Sequence, residues 1–511
     1  MYQQFPERLL SSQTYPGGVV IANPYPVDQV KIIQAPLPNK VVLPLQQRIG
    51  EEAKSCIKVG DRVLTGQVIA QTEDQFCVPI HASISGIVTA IDKQAIPHKS
   101  GLKSTCISIE SDGQDEWIKT QGCGSDFLHC DRQTIIDYIQ HSGIVGLGGA
   151  GFPSHAKLNK AIDCHTLIIN GTECEPGVMC DDALMQYHPR EVIRGVEILL
   201  HITGAQQAII AIEKDKQEAY QSLLMFNHND RISLTQLPTK YTSGAEKLLI
   251  KTLLDVEIPS GGFAADKGIL CQNVSSVKAI FDAVIDQRPL VSRIVTITGD
   301  ALTPINVEVR LGTSFEQVIS LTDVNNQAHD YRMGGMMMGV DIETTQMPIC
   351  KITNCIFVNN KTLKQPAKEC IRCNTCNTVC PIGLLPQQLY WHAKSANIEK
   401  CTDYHLSDCI ECACCSYVCP SNIDLVSYFS FAKALDKKQT ADQERIDIAR
   451  DRFEFREYRL DRNKEERSKM MAEKKQALKE KMAKDKEQGL EQTDKIAQAM
   501  ARVKKTKEDN A

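Results

Sequence analysis

Eight of the chain's 21 cysteines repeat one pattern: Cys370, Cys373, Cys376 and Cys380, then Cys409, Cys412, Cys415 and Cys419, offset by 39 residues, with Pro381 and Pro420 closing the two runs. This is the C-x2-C-x2-C-x3-C-P spacing of a segment that binds two [4Fe-4S] clusters. Three thiolates at intervals of three residues wrap one cubane from a single loop. The fourth has moved on into the next element and reaches the other cluster. One cluster is therefore expected on Cys370, Cys373, Cys376 and Cys419, and the other on Cys409, Cys412, Cys415 and Cys380. Zinc also uses C-x2-C pairs, but its sites take two such pairs, without a third spaced cysteine and a proline repeating together. Cys414 reads as a bystander between two ligands. Cys56, Cys77, Cys271 and Cys401 have no partner spacing, and most of the remaining cysteines read as small buried residues.

A two-cluster segment needs few residues, and the chain has 511, 42% of them hydrophobic, enough for three or four domains. Thiols at this density, mostly unpaired in pattern, point to a reducing compartment. The start, MYQQFPERLL, has no signal-peptide core, and no stretch approaches the roughly 18 apolar residues of a membrane span. Residues 441–511 hold 17 acidic and 20 basic groups, a net of +3, so the remainder carries −8 of the total of −5. An acidic body argues against nucleic acid as the main partner. The tail favours helix but has no sustained apolar seam. It reads as a solvated or partly disordered helix, or as a docking arm burying only Phe453, Phe455 and Tyr458.

Upstream, residues 143–153 read GIVGLGGAGFP, in which Gly146, Gly148 and Gly151 satisfy G-x-G-x-x-G. A dinucleotide fingerprint needs a strand just before the glycines, and RQTIIDYIQHSG has the period of a helix instead. The loop is therefore expected to cradle a phosphate in another way, its amides approached closely because no side chain intervenes. Lys157 is a candidate to neutralise that phosphate, or a plain surface lysine. The strand HTLIING then ends in TECEPG, placing Glu173 and Glu175 at the carboxyl end of a buried parallel strand, where ligands bind in open α/β sheets. Helix and strand alternate afterwards, as in an α/β layer domain.

GLGGAGFP, INGTECEPG, YTSGAEKLL and the QNV of 272–274 occur in the order found in the NADH- and FMN-binding flavoprotein subunit of respiratory complex I. That flavoprotein has one cluster, from three spaced cysteines and a distant fourth. With the doubled segment behind the flavin motifs, the chain resembles the C subunit of the Rnf (also called Rsx) electron transport complex over about residues 20–440. The resemblance implies a multidomain α/β protein: an arm at 1–29, an unmodified lipoyl-like barrel-sandwich at 30–120, and a Rossmann-like FMN/NADH domain at 125–290. A β-grasp (SLBB) domain at 291–348, an α-helical double-cubane ferredoxin domain at 349–438 and a charged tail at 439–511 follow. A swinging-arm carrier needs a lysine at its hairpin tip; TEDQFCVPIHAS has none, so the barrel is expected to be structural or a docking surface. Met336, Met337 and Met338 read as turn and core packing.

By position, the resemblance implies that Gly146, Gly148, Gly149, Gly151 and Lys157 hold the FMN phosphate. Asn170, Glu173, Glu246 and Asn273 would face the ring or ribityl chain, Phe152 would stack on the nicotinamide dinucleotide, and Glu175 would contact its ribose or carboxamide. The complex I proteins typically carry aspartate and serine where this chain has Thr172 and Cys174. The implied activity is electron exchange between NAD(H) and a ferredoxin-like carrier, with FMN converting hydride to single electrons for the clusters. Integral and peripheral partner subunits would move sodium ions or protons, this chain lying peripherally on the cytoplasmic face of a bacterial inner membrane. Two other readings are a cobalamin reductase of a microcompartment and a non-catalytic electron-relay scaffold.

Overall fold

The computed structural model describes residues 15–21, 31–47 and 52–508, except 73, 75, 77, 99–100, 121, 162, 301, 326–328 and 362–364. Most of the expected arm, and Cys77, lie outside the described residues. The chain forms two compact units, Met1–Lys433 and Ala434–Ala511.

In the first unit, residues 40–111 build two small antiparallel sheets. One is ordered Lys40–Pro44, Lys103–Ser111, Gly86–Ala95, Arg62–Val63, and the other Lys54–Ser55, Val68–Gln71, Ile80–His81. Alternation sends Val41, Leu43, Ile107 and Ile109 inward, the period of a strand with one face on a core.

A four-stranded parallel sheet follows, ordered Ile232–Leu237, Gln207–Glu213, Thr166–Gly171, Ile269–Asn273. Its central strands read TLIING and QAIIAIE and are buried almost throughout, as strands covered on both faces must be. The register sets Asn273 beside Asn170, and Ile212 beside Gly171. Asn170, Glu213 and Asn273 thus share the carboxyl edge.

The third sheet has six strands, ordered Ile32–Gln34, Ile305–Arg310, Ser292–Thr298, Cys355–Asn360, His329–Met333, Val340–Ile342. It draws strands from outside the 291–348 segment: Ile32–Gln34 pairs in parallel with Ile305–Arg310, and Cys355–Asn360 lies between Ser292–Thr298 and His329–Met333. Lys351 pins all three regions together. Its side chain is 2% exposed, and Nζ donates to the carbonyls of Pro79 at 3.1 Å and Gly143 at 2.7 Å. Its backbone N–H donates to Gln47 at 3.0 Å.

The cysteine repeat is also a backbone repeat. Arg372 and Asn374 take positive φ of 56° and 64°, and Glu411 and Ala413, 39 positions on, take 54° and 62°. Each pair leads into a one-turn helix, Thr375–Thr378 or Cys414–Tyr417. A helix over Leu425–Glu508 begins well before residue 439 and buries Phe429 and Ala432 within the first unit. In the second unit its side chains are almost all exposed, including Phe453, Phe455 and Tyr458. Among the described residues, no helix is long and apolar enough to cross a membrane.

One pair of cysteines departs from the expectation of unpaired thiols. Cys123 and Cys130 are joined by a disulfide across the turn Gly124–His129. The 3-10 turn folds the chain back within seven residues, a closeness that C-x6-C spacing alone does not announce.

Candidate functional site

The eight repeated cysteines gather into two groups of four. Cys380, Cys409, Cys412 and Cys415 line one hollow with Pro381, Ile410 and Phe429. Cys370, Cys373, Cys376 and Cys419 line another with Pro420 and Tyr390. In each, three sulfurs come from one run and the fourth from the other run, as the spacing predicts. Burial raises the Cys415 thiol, and the neighbouring Cys412, Cys409 and Cys380 raise it further. Four thiolates crowded this closely require a cationic group among them, which fits an iron–sulfur cluster in each hollow. Cys414 is fully buried beside Tyr241 and Met337.

The flavin motifs converge on the carboxyl edge of the parallel sheet. The glycine loop closes on itself, Gly146 N–H donating to the Phe152 carbonyl at 2.8 Å and Gly151 N–H to the Gly146 carbonyl at 3.0 Å. Gly149 and Gly151 take φ of +101° and +61°, a region other residues seldom enter. A Cβ on Gly148 would sit 3.2 Å from Asn273, so the loop lies against the end of the last strand. Asn273 Nδ2 donates to Asp181 at 2.7 Å, and Asn170 Nδ2 donates to the Gly244 carbonyl at 2.8 Å. Lys157 and Glu246 form an ion pair at 2.6 Å. Phe152 packs edge-on against Phe76 of the barrel-sandwich segment, ring centroids 5.9 Å apart. A glycine loop that a ligand can approach closely, a lysine and amide side chains at one sheet edge are a polar set suited to a flavin phosphate and ring.

The two glutamates of the acidic turn have different partners. Glu173 accepts from the amides of Asp181 at 3.0 Å and Asp182 at 3.1 Å, so it caps the helix Cys180–Tyr187. Burial first, and Asp181 second, raise its carboxyl. Glu173, Cys180 and Asp181 bring their ligand atoms within 4.8 Å of one another. Glu175 turns to the six-stranded sheet instead, accepting from the amides of Met337 and, at 3.0 Å, Met338. Tyr241 stands next to Glu175, and its hydroxyl donates to the Cys412 carbonyl at 2.8 Å. The acidic turn thus reaches the first cysteine group through one tyrosine.

Two buried acids here have no place in the sequence motifs. Glu213 ends the strand QAIIAIE fully buried, accepting from Glu173 N–H and the Ser243 hydroxyl, both at 3.2 Å. Burial, then Asp215, push its pKa up to about 7. The charge closing an apolar strand was the signal for it. Asp181 accepts from Asn273 and Ser275 and had no such signal. Burial alone would lower Lys216, but Asp182 and Glu173 raise it, so a cation offsets part of this acidic cluster. Cys174, with Glu213 nearby, has its thiol pushed up to about 12, chiefly by burial.

Three family models match the chain in succession. The family "RnfC Barrel sandwich hybrid domain" matches residues 13–114, "Nuo51 FMN-binding domain" residues 139–282, and "4Fe-4S dicluster domain" residues 369–423. The C subunit of the ion-translocating oxidoreductase complex of Yersinia pestis bv. Antiqua (strain Antiqua) is 43% identical over 84% of this chain and 70% of that protein. The protein of that description from Vibrio cholerae serotype O1 (strain ATCC 39541 / Classical Ogawa 395 / O395) is 41% identical over 96% of this chain. The match spans 64% of the Vibrio protein's length. An NAD+-reducing [NiFe]-hydrogenase in the H2-reduced state aligns with 62% of the chain at TM-score 0.44 and 16% identity, a likeness too low to bear on function. Barrel-sandwich, flavin and dicluster segments in one order, at this identity, place the chain in the family of C subunits of ion-translocating oxidoreductase complexes.

Proposed function

We propose that the chain passes electrons between NAD(H) and the other subunits of an ion-translocating oxidoreductase complex, through FMN and two [4Fe-4S] clusters. The observation that carries this reading is that Glu175 accepts from the Met337 amide, while Met337 packs with Tyr241 and Cys412, whose carbonyl accepts from the Tyr241 hydroxyl. It joins the carboxyl edge of the parallel sheet to a four-cysteine hollow. FMN held at this edge would supply the conversion between a hydride's electron pair and the single electrons that iron–sulfur clusters carry.

The chain's own residues supply binding and orientation. The internal bonds of Gly146 and Gly151 shape the loop, Gly148 and Gly149 let the phosphate approach its backbone closely, and Lys157 serves as counter-charge. Asn170, Glu246 and Asn273 line the ring and ribityl side, and Glu173 and Glu213 fix the turn between them. Phe152 takes the dinucleotide, and Glu175 orients it from the anchorage of its carboxylate on the Met337 and Met338 amides. The parallel-sheet domain serves as a Rossmann-like FMN/NADH domain, and the six-stranded sheet as a β-grasp element of the SLBB kind joining flavin and clusters. Ion movement belongs to partner subunits. This chain acts at their cytoplasmic surface, and a ferredoxin-like carrier exchanges electrons further along the complex.

Purified anaerobically, the protein is expected to hold FMN, and NADH to bleach it and then raise a reduced-cluster EPR signal. A preparation that retains no flavin, or whose flavin NADH leaves oxidised, would sink the proposal.

A further inference from the structure

The segment Tyr15–Val19 precedes the barrel-sandwich strands, yet its bonds lie at the joint between the acidic turn and the cysteine loops. Gly18 N–H donates to the Val379 carbonyl at 2.9 Å, while Val19 and Tyr241 exchange both backbone bonds at 2.9 and 3.0 Å. Tyr15 and Lys240 are bonded twice: the Tyr15 hydroxyl donates to the Lys240 carbonyl at 3.2 Å, and Lys240 Nζ donates to the Tyr15 carbonyl at 3.1 Å. Lys240 Nζ also lies 4.4 Å from the Tyr15 ring centroid. Val19 and Ile21 pack on the apolar cluster of Tyr241, Met337, Cys412 and Cys414.

No side chain fits at either glycine. A Cβ on Gly17 would lie 2.5 Å from the Cys380 carbonyl oxygen and 2.8 Å from the Val379 carbonyl carbon. One on Gly18 would lie 2.7 Å from the Tyr241 carbonyl oxygen. Both glycines take positive φ, +66° and +74°, which other residues adopt only with strain. The segment therefore touches Cys380, which lines the first hollow, and Tyr241, which reaches Cys412 in the same hollow. Two loops far apart in sequence are tied by a third.

We propose that Tyr15–Val19 is a positioning strap for electron transfer: it holds the Val379–Cys380 turn against the Lys240–Tyr241 loop and so fixes the separation between flavin and the cluster on Cys380, Cys409, Cys412 and Cys415. This rests on the function proposed above, and the test separates the two. Full-length Gly17→Val and Lys240→Met are compared with the wild type, electrons being given to the flavin by NADH or, independently, by light with EDTA. In both variants, flavin and iron content and flavin bleaching stay at the wild-type level. Electron passage to the clusters, read by EPR, slows about 10- to 100-fold in Gly17→Val, since small misplacements cost that much, and less in Lys240→Met, which removes contacts without intruding. Amide exchange rises at 379–383 and 240–242 in both.

Unchanged exchange at those two segments, or unchanged cluster reduction in Gly17→Val at full flavin and iron content, overturns the strap. If Gly17→Val does not fold, Lys240→Met decides on the same exchange readout. A wild-type flavin that light reduces but NADH does not would count against the NADH reading and leaves the strap to be judged on the light-driven reaction.

Discussion

Glu213 combines complete burial, two neutral donors and a pKa pushed from 4.5 to about 7. A carboxyl raised in the folded state binds its proton more tightly there than in the unfolded chain. Folding is thus most favoured by this group below its unfolded pKa, and the contribution is lost as pH rises to about 7. At about 1.36 kcal/mol per unit, this amounts to about 3 kcal/mol. Glu213→Gln keeps acceptor and size but cannot ionise, so thermal unfolding of the variant should decline less between pH 4.5 and 7 than that of the wild type. Superimposable pH profiles would remove Glu213 as the titrating group. Only part of this neighbourhood is legible in the sequence. TECEPG marks an acidic turn, and capping, the plainest role for a carboxylate there, is what Glu173 performs toward the helix after it. That Glu175 points to Met337 and Met338 depends on a turn of the six-stranded sheet 162 and 163 residues later, which no local pattern encodes.

Among the elements, the glycine loop and the final helix lie at opposite ends of constraint. The loop is fixed by its own hydrogen bonds, by positive φ and by Asn273. Lys157, just beyond it, is partly exposed and paired with Glu246. A hydrogen bond from a charged group contributes about 1.5–3 kcal/mol, so Lys157→Ala should weaken FMN retention about 10- to 100-fold with iron content unchanged, measured by flavin release on dilution. The helix beyond residue 440 has almost no buried side chain in its own unit. Ending the chain at residue 440 should leave flavin content, iron content and melting temperature as they were, checked by absorbance and calorimetry. Elements of both kinds are partly readable from sequence: cysteine spacing marks the cluster loops, though not their paired positive-φ residues, and helix-favouring charge without an apolar seam marks the tail. The pairing of Ile32–Gln34 with Ile305–Arg310 is not readable, because a three-residue strand carries too little pattern to name its partner.

For the molecule as a whole, the first unit shares one apolar core that runs from Val41 through Ile169 to Phe357, and long-range polar pins add to it. Lys351 joins barrel-sandwich, flavin segment and six-stranded sheet through the Pro79 and Gly143 carbonyls. Lys351→Met preserves the apolar stem but leaves both carbonyls without this donor, at about 1–3 kcal/mol each. Its unfolding midpoint in denaturant should fall accordingly, and an unchanged midpoint would show the pin to be dispensable. The six-stranded sheet has a further consequence, for the order in which the molecule is made. Its first strand emerges from the ribosome at Ile32–Gln34, its neighbour in the sheet arrives at Ile305–Arg310, and the strand that completes its centre ends at Asn360. During synthesis the N-terminal strand must wait while the parallel sheet is completed beside it. All strands of the sheet are synthesised before the first cysteine of the repeat, since the last of them in sequence ends at Asn360 and the repeat opens at Cys370.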